Sequence, residues 1–188
     1  LVHLPVQSGS NRILKLMNRK HTIEEYLNTF DRLKEINPRI QFSSDFIIGY
    51  PGETHDDFMK TVDIMNKVGF INSFSFMFSA RPGTPAFNLE RIDERDVKSR
   101  LIEFQSTAEK IKTSYRKKLI NKTAKVLFEN KMKSGSRYFG RDEYFNSVIV
   151  EDSNDLTGKI KNVKILKVNQ NTLFGEIIPD LNQTNYAA

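Results

Sequence analysis

The first ninety residues alternate short apolar segments with longer amphipathic ones. Apolar positions predict strands at residues 2–6, 40–48 and 72–78, and in the last of these Phe74, Phe76 and Phe78 alternate with smaller or more polar side chains. Apolar residues at helical spacing predict helices in the two intervals between the strands, and a long helix follows at about residues 94–118. Strands joined by helical crossovers favour a parallel sheet or barrel.

The helix boundaries are marked by local capping signals. Thr22 and Glu25 have the spacing of a capping box, in which each side chain satisfies a free backbone amide of the other residue. Thr54 and Asp57 repeat that spacing, and Gly69 is suited to end the second helix. These signals place the helix ends independently of the apolar pattern.

Beyond residue 119 the pattern becomes one of short strands only. We predict strands at residues 123–129, 144–150, 159–168 and 172–178, with Ser, Gly, Asn and Asp in the connections. Four or five short strands in so few residues favour a small closed β-barrel. We therefore assign residues 1–118 to one domain, 119–182 to a second, and the polar residues 183–188 to a disordered tail.

The composition excludes several kinds of site and segment. The chain has no cysteine, which excludes disulfides, thiolate zinc sites and iron–sulfur ligation by its own residues. The three histidines are scattered without metal-ligand spacing, so we assign no metal ligand. No apolar run is long enough to span a bilayer and no signal peptide is evident, so we expect a cytoplasmic protein without a membrane partner. The chain lacks an initiator Met, so we expect it to be part of a longer protein.

The positive charge is unevenly distributed. The net charge is +6, and residues 1–90 carry equal numbers of acidic and basic side chains. The excess lies in the long helix, which ends in Arg116, Lys117 and Lys118, and in the barrel that follows it. Such an excess favours nucleic acid, because phosphate contacts supply most non-specific affinity. A solvated helix face is the alternative interpretation.

Three loops rich in Gly, Ser and Pro follow the three predicted parallel strands, at residues 4–10, 45–54 and 78–85. Ligands bind at this edge of parallel sheets and barrels. Asp45 and Glu53 are suited to an amine or a ribose hydroxyl, and Arg81 to a carboxylate or phosphate. The alternative is structural, since Ser8–Ser10 and Thr54 can cap helices and Pro51-Gly52 is an ordinary turn.

The loop sequences themselves resemble a known family. HLPVQSGS at residues 3–10, SDFIIGYPGET at 44–54 and FMFSARPGTPA at 76–86 are similar to motifs of the radical S-adenosylmethionine methylthiotransferases. VLFE at residues 126–129 and the Gly140-Arg141 pair resemble strands of the TRAM domain, a β-barrel that binds RNA. The resemblance covers nearly the whole chain.

The resemblance implies a fold and a reaction. The fold is α/β, the C-terminal half of a radical S-adenosylmethionine (βα)6 partial TIM-like barrel followed by a small all-β TRAM barrel. The reaction is methylthiolation of C2 of N6-(dimethylallyl)adenosine at position 37 of tRNA. The implied cofactors are S-adenosylmethionine and two [4Fe–4S] clusters, whose cysteines, including a CxxxCxxC loop, we expect upstream of Leu1. We therefore assign no catalytic residue to this chain and expect it to be inactive alone.

The resemblance also implies binding residues. The cofactor-binding candidates are Gln7, Ser8, Gly9, Asp45, Ile47, Gly49, Glu53 and Arg81. The segment from Asp45 to Glu53 departs from the family's GxIxGxxE element, because Asp45 replaces the first Gly and Glu53 is one position late. The tRNA-binding candidates are Lys131, Lys133, Arg137 and Arg141, with Tyr138, Phe139, Tyr144 or Phe145 available for base stacking. We expect at least half of these aromatic residues to fill the barrel core instead.

Two alternatives to this function stay open. Sister enzymes methylthiolate threonylcarbamoyladenosine or a ribosomal protein, and a non-catalytic RNA-binding fragment would need no cluster. The electron donor and the sulfur source are not determined by the sequence.

Overall fold

The structure, a computed structural model, describes residues 1–133 and 135–179. The chain forms two compact units, Leu1–Lys112 and Thr113–Ala188. The division falls inside the long helix, whereas the sequence pattern places the domain boundary at residues 118 and 119. The tail predicted at residues 183–188 lies outside the described residues.

The first unit contains a parallel sheet with helical connections. Its strands are β1 (Val2–His3), β2 (Phe42–Ile48) and β3 (Asn72–Met77), in the order β1-β2-β3. Its helices are α1 (Asn11–Leu16), α2 (Ile23–Ile36), α3 (His55–Val68) and the start of α4 (Glu94–Lys117), with a short 3-10 turn at Pro85–Asn88. The predicted α/β class is confirmed, as are both capping boxes and the left-handed cap at Gly69.

The first strand is shorter than predicted. β1 ends at His3, and Pro5 has no amide hydrogen with which to continue the ladder. The chain rejoins β2 at Gln7, whose amide donates to the carbonyl of Asp45 at 3.0 Å while its carbonyl accepts from Ile47 N at 2.9 Å. The loop after β1 is therefore fixed to the sheet through both the amide and the carbonyl of Gln7.

The two faces of the sheet differ. One face packs on the helices, where Phe46 contacts the rings of Phe70 and Phe104 at centroid distances of 5.5 and 4.7 Å. On the other face, Phe74 and Phe76 are register partners of Asp45 and Ile47 and are 53% and 57% exposed. This second face leads to the strand ends where the predicted ligand loops lie.

The second unit is a closed five-stranded barrel, as predicted. Its strands are β4 (Thr123–Lys131), β5 (Arg137–Asp142), β6 (Ser147–Glu151), β7 (Ile160–Val168) and β8 (Thr172–Ile177), in the closed order β4-β5-β6-β8-β7. The sequence pattern missed β5 and started β6 too early, at residue 144. The reason is a tight turn between β5 and β6, in which the Asp142 side chain accepts the amides of Tyr144 and Asn146.

Candidate functional site

A cleft of about 670 Å³ lies at the carboxyl ends of the three parallel strands. Four of the eight predicted cofactor-binding residues line it: Gln7, Asp45, Ile47 and Arg81. The remaining lining residues are Met17, Arg19, Tyr50, Phe76, Met77, Phe78, Ser79, Thr84 and Ala86. The cleft therefore combines an apolar wall with a carboxylate and two guanidinium groups.

Gln7 occupies a constrained position at the rim of the cleft. Its φ is +70°, a left-handed conformation that is uncommon for residues other than glycine. The two backbone hydrogen bonds to β2 hold it there, and only 7% of the residue is exposed. A strained residue fixed beside a cleft is a feature that recurs at ligand sites.

Asp45 carries the negative charge of the cleft and is oriented by a histidine. His3 Nε2 lies 3.4 Å from Asp45 Oδ2, and His3 Nδ1 lies 2.9 Å from Ser43 Oγ. Sequence reasoning considered His3 only as a metal ligand. The alternation of side chains along a strand could have indicated this contact, because residues 3, 43 and 45 share one face of a parallel sheet.

Ser8 and Gly9 lie outside the cleft, against α3. The amide of Gly9 donates to Thr61 Oγ1 at 2.9 Å, and Ser8 Oγ lies 3.4 Å from the same hydroxyl. Ser8 is fully buried. The Ser8 side chain and the Gly9 backbone therefore serve the packing of the loop on the helix.

Gly49 and Glu53 also lie behind the cleft, in contact with α4. Glu53 Oε1 accepts from Gly49 N at 3.2 Å and from an Arg100 guanidinium nitrogen at 2.8 Å. Burial raises the pKa of Glu53, and the Arg100 guanidinium opposes that effect. Val97 packs against Gly49 so closely that a Cβ there would lie 2.6 Å from its methyl groups. Sequence reasoning missed Arg100 as the partner of Glu53.

A second buried carboxylate joins α1 to α3. Asp57 accepts from Ser10 Oγ at 2.6 Å, from Thr54 N at 3.0 Å and from the Arg12 guanidinium. Burial alone would raise the pKa of Asp57, but these hydrogen bonds outweigh it and hold the pKa well below its usual range. Arg12 also donates to the carbonyl of Gly52, so the network supports the second loop of the cleft.

The structure separates the four predicted tRNA-binding residues into two places. Lys131, Lys133 and Arg137 lie at the connection between β4 and β5, whereas Arg141 is near the other end of β5. Arg137 is paired with Glu151 at 2.8 Å and Arg141 with Glu129 at 3.1 Å. These pairs are exposed, and exposed ion pairs contribute little to stability.

The four candidate stacking residues also separate. Tyr138 is 2% exposed and belongs to the barrel core, and Phe139 and Tyr144 are partly buried. Phe145 is 63% exposed. The expectation that at least half of the four fill the barrel core is therefore wrong, because Tyr138 alone of them belongs to that core. Phe145 is the most accessible ring of the four.

Residues 1–133 and 135–179 contain neither a metal-binding cluster nor a membrane-spanning helix. No group of three or more His, Cys, Asp or Glu side chains in this part of the chain is arranged to hold a metal ion. No helix among the same residues is long and apolar enough to cross a membrane.

Comparison with known proteins agrees with both units. Residues 1–65 match the Radical SAM superfamily and residues 117–178 match the TRAM domain. The chain is 54% identical over 177 residues to a tRNA-2-methylthio-N(6)-dimethylallyladenosine synthase of Pelagibacter ubique, a match that covers 94% of this chain and 40% of that protein. Proteins of the same description from Wolbachia of Culex pipiens and from Orientia tsutsugamushi (strain Boryong) are 46% and 44% identical, over 93% and 95% of this chain.

The chain spans about 40% of the length of these relatives. The similarity runs through the cleft loops and the barrel alike, and it confirms the resemblance that the motifs indicate. The chain therefore combines a segment that matches the Radical SAM superfamily with a segment that matches the TRAM domain.

Proposed function

We propose that this chain takes part in the methylthiolation of C2 of N6-(dimethylallyl)adenosine at position 37 of tRNA, in the cytoplasm, by radical S-adenosylmethionine chemistry. The observation that carries the proposal is the 54% identity to a synthase of that description across both units. The cleft at the strand ends supports it, because it combines polar groups of both signs with an apolar wall.

In the cleft, each polar group suits one part of S-adenosylmethionine. Asp45 accepts from an ammonium group or a ribose hydroxyl, and His3 orients its carboxylate. Arg81 pairs with a carboxylate, and Ile47 offers an apolar surface to the adenine. S-adenosylmethionine held by these residues would supply a 5′-deoxyadenosyl radical, with methionine as the leaving group, on receiving one electron from outside this chain. Gly49 and Glu53 act behind the cleft, where they hold the second loop in place.

The residues of this chain do not fit an iron–sulfur cluster. The chain has no cysteine, and the described residues contain no other cluster of ligating side chains. The ligands of any cluster would therefore have to come from residues outside this chain. The proposal assigns this chain the binding of cofactor and tRNA.

The barrel supplies the proposed tRNA contacts. Lys131, Lys133 and Arg137 present positive charge at one end, and Arg141 extends it along β5. Contacts of this kind position the phosphate backbone and make affinity depend steeply on salt. We expect the isolated chain to bind tRNA weakly, with an affinity that falls as salt rises.

A chimera tests the proposed reaction. This chain would replace the matching segment of the Pelagibacter ubique synthase, and the chimera would be expressed in cells that lack their own synthase. Nucleosides from the digested tRNA would then be measured by mass spectrometry. We expect the methylthio nucleoside to form, and Asp45→Asn to lower its yield about tenfold or more. Asp63→Asn, an exposed residue of α3, is the matched control and should leave the yield unchanged.

The same digests test the alternatives. Methylthiolated threonylcarbamoyladenosine in place of the expected product would assign the chain to a sister reaction. A chimera that shows cluster absorbance and binds tRNA but forms neither nucleoside would favour the non-catalytic RNA-binding interpretation.

A further inference from the structure

The turn between β5 and β6 presents an aromatic side chain in an unusual backbone conformation. Phe145 is 63% exposed and has a φ of +63°. A bulky residue at positive φ is an outlier, because the left-handed region favours glycine, asparagine and aspartate. Burial in the core does not explain this phenylalanine, since most of its surface faces solvent.

Hydrogen bonds to Asp142 hold the backbone of this turn in place. The buried carboxylate of Asp142 accepts from Tyr144 N at 2.9 Å, from Asn146 N at 2.8 Å and from Asn146 Nδ2 at 2.8 Å. The amide of Phe145 donates to the carbonyl of Asp142 at 3.0 Å. These bonds fix the backbone on both sides of the ring, so the ring is preorganised for a partner.

The end of α4 lies at the same end of the barrel. Arg116 donates to the carbonyl of Gln170, in the connection between β7 and β8. Tyr115 lies next to Asp142, and burial and then the charge of that carboxylate raise the pKa of Tyr115. Lys117 and Lys118 follow and are exposed. An accessible aromatic ring therefore shares one end of the barrel with two exposed lysines.

We infer that Phe145 is a stacking platform for an unpaired RNA base, with Lys117 and Lys118 contacting the adjoining phosphates. A flat ring stacks on any base, and neighbouring cations hold the backbone, which is the combination that single-stranded nucleic acid requires. The exposed Glu143 in the same turn repels phosphate, so Lys117 and Lys118, and not the turn itself, supply the contacts with the RNA backbone. The inference rests on the proposed binding of tRNA by the barrel and adds a second contact region, distant from Lys131 and Arg137.

A single substitution provides a direct probe of stacking. The chain has no tryptophan, so Phe145→Trp introduces the sole indole fluorophore. Titration with the unmodified anticodon stem-loop of a tRNA should quench the indole emission, because a stacked base quenches it. Ile36→Trp is the control, because Ile36 is 81% exposed at the end of α2 and belongs to the first unit, which carries none of the proposed tRNA contacts. Its emission should change little, and inorganic polyphosphate should quench neither variant.

Affinity provides the second readout. Phe145→Ala should weaken binding of the stem-loop about tenfold, within the range measured for loss of one base–aromatic stack. The slope of log affinity against log salt should stay unchanged, because no charge is removed. Lys117→Ala should instead lower that slope by nearly one unit.

The outcomes separate this inference from the proposed function. If the stem-loop binds with salt-dependent affinity but leaves the Phe145→Trp emission unquenched, stacking is wrong and the proposed tRNA binding stands. Equal quenching by polyphosphate would also overturn stacking. If the unsubstituted chain binds no stem-loop at low salt, the proposed role of the barrel fails and this inference fails with it.

Discussion

The two units of this chain bury different kinds of side chain. Behind the cleft of the first unit, Glu53 and Asp57 are 4% and 3% exposed. Asp57 accepts from the hydroxyl group of Ser10, and Glu53 accepts from the guanidinium group of Arg100.

In the barrel, most charged residues are exposed, and the core is built from apolar residues and Tyr138. The cleft is thus supported by a polar network, whereas the barrel has an apolar core and a charged surface, with the buried pair Asp142 and Asn146 confined to the β5–β6 turn.

This difference shows how the motif residues of the first unit are used. A buried polar network is costly when it is only partly satisfied and rigid when it is complete. Ser8, Gly9, Gly49 and Glu53 make contacts within such a network, and this leaves Gln7, Asp45, Ile47 and Arg81 to line the cleft. Half of the predicted ligand residues thus hold the other half in position.

The largest expected effect comes from a glycine in this network. A Cβ at Gly9 would lie 2.1 Å from the carbonyl oxygen of Lys60 and 2.6 Å from the Cα of Thr61, so α3 would have to move. We expect Gly9→Ala to destabilise the first unit by about 4 kcal/mol or more, a loss comparable to the whole stability of many domains. Hydrogen exchange with mass spectrometry should show lost protection in residues 1–112.

Gly140→Ala is the matched substitution in the barrel, where the added Cβ would lie 2.4 Å from the carbonyl oxygen of Leu127. Gly140→Ala should reduce protection from hydrogen exchange in residues 113–179 and leave protection in the first unit unchanged. Loss of protection in both units from either substitution would contradict the separation into two units.

The sequence predicted the features that depend on neighbours in the chain. The capping boxes at Thr22 and Thr54 rest on spacings of three residues, and both are present. The position of the cleft was also predicted, because the ends of parallel strands meet at one edge and Gln7 and Arg81 each follow a strand. Asp45 was expected in a loop, but it lies within β2 on the face that leads to the cleft.

Contacts between distant residues could not be predicted in this way. Arg100 meets Glu53 across 47 positions, and no local pattern distinguishes Arg100 from the other basic residues of α4. β5 was missed for a different reason. The Asp142 side chain accepts backbone amides in the turn, so the residue pattern does not show where β5 ends and β6 begins.

The second-largest effect should come from the buried ion pair. Arg100 and Glu53 have side chains 14% and 1% exposed, so Arg100→Met leaves a carboxylate buried without its cation. We expect a loss of about 3 kcal/mol at neutral pH, measured by urea unfolding. Burial raises the pKa of Glu53 in the folded state, and removal of Arg100 should raise it further.

The pH dependence distinguishes this cause from lost packing. A carboxyl group whose pKa is raised on folding lowers stability above its folded pKa, and the cost disappears below its unfolded pKa of about 4.3. The difference between Arg100→Met and the unsubstituted chain should therefore shrink as the pH falls towards 4. A difference independent of pH would show that the arginine acts only through packing.

The third prediction concerns Asp57 and has the opposite sign. Its pKa is held below the usual range, so its contribution to stability is complete above its unfolded pKa of about 3.9 and is lost as the pH falls below that value. Asp57→Asn should cost about 2 kcal/mol at neutral pH, the usual value for hydrogen bonds to a charged group. Acid unfolding of the first unit should become less steep in this variant, and an unchanged acid transition would contradict the assignment.

The smallest effect is expected from an arginine of the barrel that also pairs with a glutamate. Arg137 and Glu151 have side chains 53% and 65% exposed, so water already solvates both charges. Arg137→Ala should change the free energy of unfolding by less than about 0.5 kcal/mol, in contrast to Arg100→Met. It should nevertheless lower the slope of log affinity for tRNA against log salt by nearly one unit, because one phosphate contact is lost. A large loss of stability with an unchanged slope would mean that Arg137 supports the barrel as Arg100 supports the cleft, and the contrast between the two units would not hold.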